Sequence, residues 1–205
     1  MELRDALTQI AEIRQQLART EVFRGYRAMP VAFSGVLALS TAAFQQVWLP
    51  DPAGNVPAYL NLWISAAFLS ALAAGTEMLL RCYRSPTTLT REITWLAVEQ
   101  FLPCLLAGAL LTAVFVLCVP DSVWMLPGLW QMLFGLGIFA SHRLLPRATL
   151  GVACFYLLAG VLVLALTRGP AAGLSPWAMG VPFGVGQLYA AAVLYWTLER
   201  HPDDQ

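Results

Sequence analysis

Four residues place a polar side chain in an apolar setting where it could do chemistry: Glu77, Glu99, Gln100 and Gln187. Carboxylates within membrane-crossing stretches are costly and are functional suspects by default. Gathered in one cytoplasm-facing pocket, Glu77, Glu99 and Gln100 would bind a cation, a proton or a polar ligand head. Both acids also fall near the ends of their apolar segments, where charge is cheap. There, pairing with Arg27, Arg81, Arg143 or Arg147 would simply pin helix ends. Gln187 follows Gly180-Val-Pro-Phe-Gly-Val-Gly186. Pro182 has no N–H and so frees a backbone carbonyl, and a kink beside a glutamine points to a cavity. The other deep polar groups, Gln131, Tyr156, Tyr189 and Tyr195, fit interhelical hydrogen bonding. Asn61, Gln45 and Gln46 lie near the outer surface and need no role.

Other chemistries lack their residues. His142 and His201 both fall outside the apolar segments, so neither is placed to hold haem or to pair with a second metal ligand. Ser34 beside Gly35 would serve as an intramembrane nucleophile only with a histidine on a facing helix, and no apolar segment contains one. There is no H-E-x-x-H and no aspartate cluster for Mg²⁺. Cys82, Cys104, Cys118 and Cys154 form neither a C-x-x-C pair nor a Cys/His cluster. No metal and no cofactor is expected, and an enzyme is disfavoured. A net charge of zero offers no basic field for nucleic acid.

The elements that position these residues follow from composition. Of 205 residues, 59% are hydrophobic and 12% charged, about half the charge of a soluble domain. Apolar segments at about 29–49, 59–80, 96–119, 124–141, 148–167 and 175–198 are each near the ~20 residues that cross a bilayer. The expected fold is an all-α polytopic membrane protein with six transmembrane helices and an N-terminal amphipathic helix. Three parts follow: a cytoplasmic amphipathic helix over 1–28, a six-helix domain over 29–198 and a cytoplasmic tail over 199–205.

All twelve basic residues are arginines. With six spans, only Arg168 falls on one side of the membrane and the other eleven on the opposite side. The positive-inside rule then puts both termini in the cytoplasm of a multi-pass inner-membrane protein. Trp48, Trp63, Trp124 and Trp177 are expected as an outer aromatic belt. Residues 1–28 carry charge and no apolar h-region, so the first apolar segment reads as an uncleaved signal anchor.

In residues 2–20, Leu3, Ala6, Leu7, Ile10, Ile13 and Leu17 form a stripe about 120° wide on a helical wheel. The opposite face carries charges of both signs, unlike the Lys/Arg-rich face of a lipid-binding helix. It is expected to contact the protein's own cytoplasmic side, a second copy in a homodimer or a cytoplasmic protein partner. The bundle itself is surrounded by membrane lipids.

One pattern occurs twice. Phe23 to Gly35 and Phe139 to Gly151 both read F-x-x-x-R-x-x-P-x-A-x-x-G. Arg27 and Arg143 would anchor at the interface, Pro30 and Pro146 suit a first helical turn, and Gly35 and Gly151 allow close helix approach. Each copy opens a hairpin whose second helix begins near a tryptophan, Trp63 or Trp177. Both hairpins run in the same sense, which defines a parallel repeat. Small-residue lines at Ser34/Ala38/Ala42, Ala67/Ala71/Gly75 and Gly180/Gly184 predict close packing in a compact bundle.

The chain therefore reads first as a ligand- or lipid-binding sensor or interaction protein whose head contacts a partner. A small transporter or channel lined by Glu77, Glu99 and Gln187 is the alternative, and a lipid-modifying enzyme comes last.

Overall fold

The computed structural model describes residues 28–84, 88–142 and 145–199. The amphipathic segment 2–20, Arg27, Arg143 and the tail lie outside the described residues. Among those described, all regular structure is helical. The helices are α1 (Ala28–Trp48), α2 (Val56–Arg84), α3 (Thr88–Cys118), α4 (Leu126–Ala140), α5 (Thr149–Leu166), the short α6 (Pro170–Gly173) and α7 (Pro176–Leu194). A 3-10 segment, Pro120–Met125, leads into α4, and a π-helical turn, Tyr195–Glu199, continues α7. Six stretches are long and apolar enough to cross a membrane, the architecture of a multi-pass integral membrane protein. Successive spans alternate in direction, so the bundle has an Ala28 end and a Trp48 end.

Two helices run well past the apolar segments expected for them. α2 and α3 extend beyond their apolar stretches to Arg84 and back to Thr88. Hydropathy locates where lipid begins, but the backbone hydrogen bonds of a helix can continue past that boundary.

The principal pairing is α1 with α7, followed by α4 with α5. Both rest on small residues. Ala38 and Ala42 of α1 are buried and meet Gly180 of α7, where an added Cβ would collide with Ala42. A Cβ at Gly35 would lie 3.0 Å from the Gly184 carbonyl oxygen. Between α4 and α5 the backbones are closer still. A Cβ on Gly160 would stand 2.6 Å from the Gly128 carbonyl oxygen, and one on Gly128 2.8 Å from that of Gly160. Lipid tails are as apolar as leucine, so spanning helices gain from tight van der Waals contact, which bulky side chains would prevent.

The third small-residue line differs from expectation. Ala67 and Ala71 are exposed, and nothing lies within 4 Å of a Cβ built on Gly75. α2 leans on α1 and α3 on α4, while α2 and α3 barely touch despite their short connection. The bundle is thus a packed centre of α1, α4, α5 and α7 with two helices against its flanks. The two hairpins proposed as a repeat, α1–α2 and α5–α7, make different contacts: α1 pairs closely with α7, but α5 has no comparable contact with α2.

Two outer-surface expectations also need correction. Trp63 is buried and forms no part of an exposed aromatic belt, whereas Trp48 and Trp177 are exposed. Gln45 is fully buried. Both turn inward, where they bond to each other, as described below.

Gly160→Ala should force two backbones apart at a site that cannot relax by a rotamer change, an overpacking cost of about 1–3 kcal/mol. Thermal unfolding in detergent should show a clear loss for Gly160→Ala. Gly75→Ala, in open space on a helix, should leave the midpoint unchanged or raised.

Candidate functional site

The buried polar groups make a connected set of ties between helices. At the Trp48 end, the Trp63 indole Nε1–H donates to Gln45 Oε1 at 2.7 Å. The same amide's Nε2 donates to the Leu174 carbonyl oxygen at 3.0 Å. One side chain of α1 therefore holds α2 and the turn before α7 together. It can do so because an amide carries donor and acceptor on one planar group.

One layer further in is the proline. Pro182 lies inside α7, which is assigned as helix on both sides of it. A proline has no N–H to give, so the carbonyl four residues earlier, that of Ala178, loses its ordinary helical donor. Gln131 Nε2 from α4 supplies one at 2.8 Å. Gln131 is itself fully buried, and its Oε1 has no hydrogen-bond partner among the described residues. Just beyond, the Tyr156 hydroxyl of α5 donates to the Phe183 carbonyl oxygen at 3.4 Å, a long bond. The Tyr156 ring occupies the place where a Cβ on Gly186 would stand. Phe134 meets Tyr156, Phe183 and Phe101 edge-on, with centroids 4.9, 5.7 and 5.3 Å away. A fourth tie joins α3 to α4, where Trp130 Nε1–H donates to Thr112 Oγ1 at 2.9 Å. The Tyr59 hydroxyl is buried near the Trp48 end with no partner among the described residues.

The residues singled out from the sequence are distributed around this set. Gln187 is half-buried on α7, at the α1 contact, with its Cβ 3.1 Å from a Cβ built on Gly35. Glu77 is half-buried on α2, and Glu99 is exposed on α3. Gln100 is half-buried, and its Oε1 lacks a partner among the described residues. The helices carrying Glu77, Glu99 and Gln100 make no substantial contact with α7. The structure therefore does not bring Gln187 together with the two acids. None of these four residues lines the two best-formed surface grooves among the described residues. Among the described residues no group of three or more His, Cys, Asp or Glu is placed to hold a metal ion.

The repeated motif has a more specific placement. Pro30 is the third residue of α1, but Pro146 precedes α5, and its carbonyl accepts from the backbone N–H and Oγ1 of Thr149. Gly35 faces Gly184, Gln187 and Leu188, while a Cβ on Gly151 would meet the Tyr189 hydroxyl at 2.6 Å. Both motif glycines thus face residues of one two-turn stretch of α7.

Gln45 and Trp63 had no signal in the sequence beyond their types. Position relative to the membrane surface gives depth but not direction, and these two point inward. Gln131 had a partial signal, since Pro182 announces a carbonyl in need of a donor without saying which helix provides it.

The chain matches no protein-family model, no curated protein and no solved structure.

Gln45→Leu should leave the Trp63 indole and the Leu174 carbonyl unpaired in the core, at about 1–3 kcal/mol. Gln131→Leu should cost a similar amount by orphaning the Ala178 carbonyl. That second cost should shrink in a Pro182→Ala background, where residue 182 regains the N–H that carbonyl lacks. A double-mutant cycle read by thermal unfolding gives the coupling, and an additive result would show that Gln131 does not serve the proline-freed carbonyl.

Proposed function

We propose that this is a six-span inner-membrane protein, with both termini cytoplasmic, that senses or binds a ligand or lipid and engages a partner through residues 2–20. The partner is a second copy or a cytoplasmic protein that takes the stripe of Leu3, Leu7, Ile10, Ile13 and Leu17. The observation that carries the reading is the use made of the buried polar groups. Gln45, Trp63, Gln131 and Tyr156 are spent on fixing helices to one another. A conduction path needs polar groups turned toward a lumen, and the two surface grooves among the described residues are lined mainly by apolar side chains. A fixed bundle with an amphipathic head suits recognition better than passage of a solute.

The arginine distribution supports the orientation, since eleven of twelve fall on the side that carries the head. The head's mixed-sign polar face supports a protein contact over a purely lipid one.

The test is native mass spectrometry of the full chain released from a mild detergent. Leu7→Glu with Ile10→Glu puts two charges into the stripe. The wild type should carry a bound second copy or protein partner, and the variant should lose it while keeping its thermal midpoint. Identical stoichiometry for both proteins would refute a contact role for the head. Bound lipid retained by both would then describe a membrane protein with no head-dependent assembly.

A further inference from the structure

Two buried polar atoms near the Trp48 end have complementary needs. The Tyr59 hydroxyl on α2 has a proton to give and no acceptor for it among the described residues. Gln131 Oε1 on α4 is an acceptor without a donor among them. Both residues are fully buried. The neighbour of Gln131 fixes which amide atom is left over. The Ala178 carbonyl can only accept, so the amide turns Nε2 toward it, at 2.8 Å, and Oε1 away.

The two groups lie at one level and against one cluster. At a rise of about 1.5 Å per residue, Tyr59 is about 5 Å into α2, Gln131 about 8 Å into α4 and Ala178 about 3 Å into α7. Tyr59 belongs to a buried cluster with Leu126 and Met179, and Trp130 packs against that cluster. Trp130 and Met179 are the chain neighbours of Gln131 and Ala178. Even so, the hydroxyl and Oε1 do not bond to each other.

Whatever joins them must accept from one and donate to the other. An acyl chain does neither, and water does both. It can take the Tyr59 proton on a lone pair and give one hydrogen to Gln131 Oε1. A third partner adjoins, because the Ala178 carbonyl is one amide width from Oε1. That carbonyl keeps a second lone pair, since Pro182 offers it no N–H. Buried waters make about three such bonds, to groups that are otherwise unsatisfied.

We infer that a water molecule is bound between the Tyr59 hydroxyl, Gln131 Oε1 and the Ala178 carbonyl. It joins α2 to α4, whose backbones do not pack closely. It also closes a circuit of polar ties. Gln45 links α1 to α2 and to the turn before α7, Gln131 links α7 to α4, and the water links α4 back to α2. The site does not depend on residues 2–20 or on any partner.

The test uses the full chain in bilayers of phosphatidylethanolamine and phosphatidylglycerol. Magic-angle-spinning NMR follows magnetisation passing from water to the glutamine side-chain amides. Gln45 is the internal control, equally buried but bonded to protein through both amide atoms. The Gln131 signal should build up at least threefold faster than that of Gln45. Tyr59→Phe, which removes one oxygen and keeps the ring, should slow the Gln131 build-up at least twofold and leave Gln45 unchanged. Equal rates for the two glutamines in the wild type would overturn the inference. Thermal unfolding in detergent gives a second reading with an opposite sign for the dry alternative. A hydrated Tyr59 hydroxyl makes Tyr59→Phe lower the midpoint, and the loss should shrink in a Gln131→Met background. A midpoint that is unchanged or raised would mean that the hydroxyl has no partner to lose, and the inference fails. An additive cycle would overturn the bridge even if Gln131 were wet.

Discussion

The constraint on which the bundle depends is the close approach of α1 and α7. Between lipid tails the hydrophobic effect does not bring helices together, so contact area at short range must do it. Gly180 and Gly184 clear one side of α7, and Gly35, Ala38 and Ala42 form the matching side of α1. With any larger residue at Gly180 the helices would separate. Gln45 on α1 would then no longer reach the Leu174 carbonyl just before α7, at 3.0 Å in the intact fold. The Gln45–Trp63 bond that fixes α2 depends on the same placement. The tightest apolar contact therefore sets the geometry of polar ties that lie one or more turns away.

Pro182 introduces a second dependence. It removes one helical hydrogen bond from the middle of α7 and thereby makes a neighbouring helix necessary. Gln131 answers from α4, and α4 is held to α5 by the mutual approach of Gly128 and Gly160. A backbone group left unpaired in hydrocarbon costs several kcal/mol, and α4 must therefore stay at the position its glycine contact with α5 specifies. The proline thus selects one arrangement of helices among several that would bury the same apolar area. This is a role in specificity more than in net stability.

The membrane class, six spans and the small-residue lines on α1 and α7 were legible in the sequence, because length, apolarity and i, i+4 spacing are local properties. What was not legible was direction. The line Ala67/Ala71/Gly75 has the same spacing as Gly180/Gly184, yet it faces away from the bundle. Nothing in one helix states which of its faces a neighbour will meet. Gln45 and Gln46 are adjacent and chemically identical, but one is fully buried and the other exposed. Trp63 and Trp177 occupy matching places in the two hairpins and likewise differ in burial. Of the candidate site residues, Gln187 lies near the centre of the packed seam while Glu99 is exposed on a flanking helix, a distinction that residue type and depth could not supply.

The unequal packing of the helices bears on where a response can arise. α3 rests mainly on α4 and has no buried residue in its span, whereas α2 places Tyr59, Leu60 and Trp63 in the core beside α1. Local opening concentrates where contact density is low. The α1–α7 seam lies at the opposite extreme, with Gly35 packed in it. Glu99 therefore lies exposed on the helix with least buried surface, whereas Glu77 shares a helix with residues of the core. Any change in the tilt of α2 would strain the Gln45–Trp63 bond, a polar tie between α2 and α1.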